Sequence, residues 1–358
     1  MIFTIVVAIR ILPFTLQSML PSIAVVKDLS SAAADIGLKR LQEYRPEDTF
    51  TMRPYSSWAL SRLCQRERII KDPYFVHLTS AGKGTVVYIF DNFITKDESR
   101  LKSTDRFILF NDYTSRGFDI IYKRGLQAAS IIGHELYGVA PYANIVLNKV
   151  GYNGINNKNF TRNVLAAFRD AIGNVTARNQ KAIFNLGLNF GNLTASQLHK
   201  IENYIKYAHS KGITIVKSAG NTHTNACSVN VSNMTEVISV GAINTKHELW
   251  VESETKASNY GPCVEIMAPG TDIYQSNEHF GFGTAFAAAH VTGIVATYLT
   301  FGVQPHDIKQ TLIDSSTKNL LHFIWHTPNR TAFNMPTSHS IFKSYSATLD
   351  LYLKHRLA

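Results

Sequence analysis

Thr85-Val-Val-Tyr-Ile-Phe90 constrains this chain more than any other stretch. It is a continuous β-branched and aromatic run, the pattern of a strand covered on both faces, as in parallel sheets. Gly82 and Gly84 bound it on one side, and Asp91 sits at its C-terminal end. Further apolar runs follow at Asn144–Leu147, Ala182–Phe184, Ile213–Val216 and Val237–Val240. Helical patterns lie between several of them. The clearest places Leu198, Ile201, Ile205 and Ala208 on one face, and Lys211-Gly212 closes that helix with a cation and a C-terminal glycine. Strands alternating with helices predict an α/β fold, a three-layer arrangement with a mostly parallel central sheet flanked by helices. Ligands of such sheets bind beyond the carboxyl ends of the strands. Asp91 and Ser218-Ala-Gly-Asn221 both fall at such ends.

The segment Thr284–Thr300 is apolar all round, rich in alanine and only 17 residues long. It reads as a buried central helix rather than a membrane span, and no membrane span is expected elsewhere. With 358 residues and 45% hydrophobic content, the chain suffices for one large domain with short extensions. The net charge of +10 is scattered, with no long Lys/Arg block and no stacking-aromatic motif, so a nucleic-acid partner is not expected. Residues 1–20 are apolar but contain Arg10 and Pro13 inside the run, a poor signal peptide. Six Asn-x-Ser/Thr sequons, starting at Asn159, Asn174, Asn192, Asn230, Asn233 and Asn329, give weak support to a secreted or extracellular location. Three cysteines, Cys64, Cys227 and Cys263, leave at least one thiol free if a bridge forms.

Six segments, in order, resemble the proteinase K-like branch of the subtilisin-like serine proteases. Ser57-Trp-Ala-Leu-Ser-Arg-Leu63 is similar to the mature start of that branch, and Gly84 to Ile94 to the strand that ends in its catalytic aspartate. Tyr137-Gly-Val-Ala-Pro141 is similar to the segment after its histidine helix, and Ser218-Ala-Gly-Asn221 to its oxyanion-asparagine motif. Ser258-Asn-Tyr-Gly-Pro262 with Ala268-Pro-Gly270 is similar to the lead-in to its nucleophile. Gly283-Thr-Ala-Phe-Ala-Ala-Ala-His-Val-Thr-Gly293 takes the place of Gly-Thr-Ser-Met-Ala-Thr-Pro-His-Val-Ala-Gly. The resemblance covers residues 56–334 and implies a subtilisin-like fold there. It leaves 21–55 as a pro-segment remnant, expected to stay attached, and 335–358 as a C-terminal extension.

The resemblance also implies where the chemistry would sit. Serine-type acyl transfer needs a hydroxyl nucleophile, an imidazole, a carboxylate behind it and donors for the oxyanion. Asp91 takes the carboxylate position. Counting back from Tyr137 without a gap puts Arg124 where the histidine belongs, and a guanidinium cannot accept a proton near neutrality. Arg124 is expected to pair with Asp91. Ala285 stands at the serine position, and Thr284 and His134 are not expected to replace the missing groups. His290 is expected to pack. Asn221 stands at the oxyanion position, with a turn asparagine capping the strand end as the other reading of it. Asn185, Leu186, Gly187 and Leu188 are expected along the substrate cleft, where Leu188 adds bulk. The implied protein is a peptidase S8 homologue without catalysis, a monomer with a peptide or protein as partner. A serine endopeptidase with non-standard catalysis is the alternative. The branch further implies a Cys227–Cys263 bridge, with Cys64 free. Glu265 falls where the branch often has a calcium-ligating aspartate, but one carboxylate is not a site, so no cofactor is expected, with calcium as the alternative.

Overall fold

The computed structural model describes residues 50–91, 107–114, 124–151, 159–191, 193–275, 278–279 and 281–337. All lie in a compact unit that begins at Thr49. The expected signal peptide (1–20), most of the expected remnant (21–55) and nearly all of the C-terminal extension fall outside the described residues.

A nine-stranded sheet forms the middle layer, in the order β14-β15-β11-β8-β7-β6-β3-β5-β4. Its strands are β3 (Thr85–Asp91), β4 (Phe107–Asp112), β5 (Asn144–Lys149), β6 (Lys181–Leu186), β7 (Thr214–Ser218), β8 (Val237–Ile243), β11 (Ile266–Pro269), β14 (Thr317–Lys318) and β15 (Arg330–Thr331). Every pairing from β15 to β4 is parallel, and only β14–β15 is antiparallel. Three short antiparallel pairs stand apart: β1 (Phe50–Pro54) with β2 (Tyr74–Leu78), β9 (Val251–Ser253) with β10 (Lys256–Ala257), and β12 (Tyr274–Gln275) with β13 (Glu278–His279).

Side chains along β3 alternate between two cores, as the pleat requires. Val87 and Ile89 face a core built with the helices α1 (Trp58–Cys64), α2 (Arg124–Gly133) and α5 (Thr284–Thr300). Val86, Tyr88 and Phe90 face the opposite core, built with α3 (Phe160–Arg178) and α4 (Ala195–Ser210). The whole of β3 is buried, as its run of apolar residues predicts. α4 opens with a capping box, in which Thr194 Oγ1 accepts from the Gln197 N–H and the Gln197 side chain accepts from the Thr194 N–H. Ile201, Ile205 and Ala208 are its buried face, and Gly212 follows with φ +77°. α5 is buried from Thr284 to Leu299 and packs against β3, β6, β7, β8 and β11. Its Gly293 lets α2's neighbourhood come close: a Cβ there would lie 2.6 Å from Val139 Cβ. A further helix, α6 (Ile308–Ser315), packs against α5.

β1 precedes the boundary expected at Ser56 yet is bonded into the body. Its five residues pair with β2 in register, from Phe50 opposite Leu78 to Pro54 opposite Tyr74. Phe50 and Met52 pack beside Phe301, Phe333 and Met335. Arg53 donates from Nη1 to the Gly138 carbonyl at 2.7 Å.

Candidate functional site

The carboxyl edge of the sheet gathers the residues singled out above. Asp91 ends β3 with 1% of its surface exposed. Phe90 is paired with Leu186 in the parallel register, so the next residue of each strand, Asp91 and Gly187, are neighbours. A Cβ on Gly187 would lie 2.6 Å from Asp91 Oδ2, so glycine is what admits the carboxylate here. Arg124, the first residue of α2, grips that carboxylate with two donors. Its Nε donates to Oδ2 at 3.1 Å and its Nη2 to Oδ1 at 2.5 Å. Nη2 also donates to the Gly187 carbonyl at 3.0 Å. A cation at a helix N-terminus opposes the helix dipole, and the buried carboxylate offsets that cost. The expected Arg124–Asp91 pair is therefore present.

His134 does not reach this point. It follows α2, and ten residues at 1.5 Å each put it about 15 Å along the helix from Arg124. Its Nδ1 accepts from the Leu136 N–H at 3.1 Å, and its ring lies against Tyr137.

Ser218-Ala-Gly-Asn221 leads from the end of β7 to the start of α5. Asn221 Oδ1 accepts from the Thr284 N–H at 3.0 Å and from Thr284 Oγ1 at 2.7 Å. Gly283 at the N-cap has no side chain of its own to offer, so Asn221 caps α5 from another segment. The Nδ2 group takes no part in that cap. Thr284 Oγ1 also accepts from the Gly220 N–H at 3.2 Å, so its hydroxyl is committed on both sides. Ala285 is the second residue of α5 and brings only a methyl group to the mouth of the helix. His290 lies one turn deeper, buried, with Nδ1 against the Phe286 carbonyl at 3.0 Å. Burial lowers its pKa to about 4, which keeps the ring neutral.

Three of the four residues expected along the cleft are core residues. Asn185 is 1% exposed and donates from Nδ2 to Thr292 Oγ1 of α5 at 2.7 Å. Leu186 is fully buried on the α3–α4 side, with Leu188 nearby. Gly187, just past the strand end, touches the Asp91–Arg124 pair. No sequence pattern signalled that contact, nor Thr284 as the group held by Asn221.

The subtilase family (peptidase S8) matches residues 82–334. The chain belongs to the subtilase family. This subtilase is 29% identical over 277 residues to the subtilase-type proteinase RRT12 of Saccharomyces cerevisiae, an alignment that covers 73% of this chain and 54% of that one. It is 25% identical to alkaline protease 1 of Aspergillus clavatus, over 80% of this chain and 70% of the relative. It is 27% identical to subtilisin-like protease 4 of Trichophyton rubrum, over 82% and 71%. The chain thus spans about half of the yeast relative and some seven-tenths of the other two. Among solved structures, a cold-adapted subtilisin-like serine proteinase superposes with a TM-score of 0.63 at 23% identity, covering 78% of this chain and 98% of the other. That likeness shows the fold.

The subtilase's cysteines pair as expected. Cys227 and Cys263 are bridged, with Cα atoms 5.1 Å apart, and Cys64 is free. Cys64 Sγ lies 3.2 Å from the Tyr74 carbonyl, and burial pushes its thiol up to about 12. Glu265 does not fit a calcium ion. Its Oε1 pairs with Lys309 Nζ at 2.7 Å and its Oε2 accepts from the Ser239 N–H at 2.8 Å, so an ammonium already stands where a cation would. Among the described residues, no three His, Cys, Asp or Glu side chains gather to hold a metal. Nor is any described helix long and apolar enough to cross a membrane.

Proposed function

We propose that this subtilase does not cleave peptide bonds and instead binds a peptide or protein segment at the carboxyl edge of its sheet. The single observation that carries the reading is the two-pronged Arg124–Asp91 pair. In the Ser-His-Asp arrangement that carboxylate orients an imidazole. Here a guanidinium holds both carboxylate oxygens and has no lone pair with which to take a proton. Ala285 offers no hydroxyl, and the Thr284 hydroxyl is committed to Asn221 and Gly220. Losing the serine alone typically costs about 10⁶-fold in turnover. What remains for a ligand is the strand edge around Gly187 and the Asn221 amide. The Cys227–Cys263 bridge supports an oxidising, extracellular setting.

The test is covalent labelling of the purified chain with a fluorophosphonate probe, alongside hydrolysis of a generic protein substrate. Neither labelling nor turnover above a buffer control is expected. Serine labelling would support the second reading, a serine endopeptidase drawing its nucleophile and base from elsewhere. That reading is favoured by the relatives, which are named as proteases. The paired restoration Arg124→His with Ala285→Ser is expected to gain labelling, and each single change is not. Binding is read on a peptide array probed with the intact chain, and no reproducible spot would remove the ligand half of the proposal.

A further inference from the structure

Lys217 stands on β7, four residues before Asn221, with 1% of its surface exposed. Its Nζ donates to the Ser218 carbonyl at 2.7 Å and to Ser232 Oγ at 2.9 Å. Neither partner carries a charge, and among the described residues Lys217 forms no ion pair. The groups packed around it are apolar or neutral. Leu186 of β6 and Ser239 of β8 are its register partners. Ile201, Ile205 and Ala208 form the buried face of α4, and Val231 and Met234 lie in the same core. Tyr204 of α4 packs its ring against this core, and the charged groups of these elements are engaged elsewhere or face solvent. Lys181 of β6 donates to the Leu299 carbonyl, and Glu236 accepts from Thr235. Glu265, bonded to the Ser239 N–H, pairs with Lys309. On α4, His199, Lys200, Glu202, Lys206 and His209 lie outside the buried face.

Ser232 is fully buried and belongs to the loop between β7 and β8. That loop begins with the Asn221 segment and is tied to Cys263 through Cys227. The Lys217–Ser232 bond therefore fastens a central strand to the segment that carries Asn221. A neutral amine suits the place, because it can donate to both oxygens without a counter-charge. An ammonium there has no compensating anion, and an unpaired buried charge is costly enough to drive local rearrangement.

We infer that Lys217 and Ser232 form a proton-operated latch on the loop that carries Asn221. With the amine neutral, the loop is held shut against β7. With the amine protonated, residues 229–236 open to admit water to the ammonium. Burial brings the Lys217 pKa down to about 7, which puts the change within reach of ordinary pH. The latch does not depend on whether a peptide binds at the Asn221 side. Lys217 and Ser232 are not a hidden catalytic pair, since both side chains are sealed from substrate.

Amide hydrogen exchange on the intact chain, wild type against Lys217→Met, tests the latch at pH 5.5 and pH 9. Taking the ratio of the two proteins at each pH cancels the intrinsic pH dependence of exchange. For amides of 229–236 the ratio is expected to rise at least tenfold on going to pH 5.5, while for β3 it stays flat. A flat ratio at 229–236 would overturn the latch. So would an equal rise in β3, which would mean global loosening rather than a local opening. If Lys217→Met fails to fold, Lys217→Gln replaces it, keeping a donor for Ser232 without a titrating charge.

Discussion

A methyl group at position 187 would sit 2.6 Å from Asp91 Oδ2, a distance no carbon tolerates beside a carboxylate oxygen. Gly187→Ala is therefore expected to push Asp91 off Arg124, costing about 1–3 kcal/mol in a denaturant melt. Arg124→Ala is expected to cost more than Asp91→Ala, because it leaves a buried carboxylate without its partner. The penalty of about 3–5 kcal/mol for a fully buried pair is reduced here to about 2–3, since Arg124 is 39% exposed on its side chain. Equal losses in the two variants would argue against a charge-based lock. The Arg124–Asp91 pair was legible in the sequence because the resemblance, counted without a gap, set Arg124 beside the expected carboxylate, and a guanidinium next to a carboxylate pairs with it. Gly187 was not, because a local pattern does not say which residue stands beside the end of a neighbouring strand. Asn185 was placed along the cleft by the resemblance alone, and its hydrogen bond to Thr292, 107 positions away in sequence, had no local signal.

The helix α5 shows what an element-level pattern conveys. Its small, apolar residues on every side predicted a central helix, and it runs from Thr284 to Thr300 with only the last residue outside the core. The same closeness makes it intolerant. Gly293→Ala is expected to strain the contact with Val139 and cost about 1–3 kcal/mol, read as a lower midpoint of unfolding with an unchanged denaturant slope. A neutral outcome would mean that α5 and the Val139 segment slide apart easily. β3, β5, β6, β7 and β8 were readable for a similar reason, since strands covered on both faces are written as apolar runs. β1 was not. Its sequence Phe-Thr-Met-Arg-Pro has no such run and ends in proline, and its strand character comes from β2, which begins twenty positions further on.

At the scale of the molecule, the buried titrating groups set a dome of stability against pH. Burial lowers His77 to about 3 and His290 to about 4, so the folded chain keeps them neutral where the unfolded chain, at 6.5, takes up protons. Stability is thus lost as pH falls below about 6.5. Lys217 acts on the other side. It is lowered from 10.5 to about 7, so from pH 7 upward the unfolded chain binds the extra proton and stability rises. Between pH 7 and 9 this contributes on the order of 2–3 kcal/mol. Cys64, raised from 9.0 to about 12, cancels that rise above pH 9, where the unfolded thiol ionises and the buried one does not, and once the Lys217 gain ends at 10.5 stability falls. Unfolding by denaturant is expected to be hardest on a plateau that begins at about pH 9, and Lys217→Met should flatten the rise from pH 7. A maximum near pH 6 in the wild type would refute the assignment. Cys227→Ser opens a bridge spanning 36 residues and is expected to cost about 3–4 kcal/mol, measured in the same melts. One last consequence follows from the stitching of β1 to β2. Tyr55, just beyond β1, is 92% exposed with φ +53°, an inviting place for a foreign protease to clip. Severing the backbone there would set nothing adrift, because the five upstream residues stay zipped to Tyr74–Leu78 and anchored beside Phe301. The nicked protein should elute from a sizing column as one species and part into two bands only on a denaturing gel.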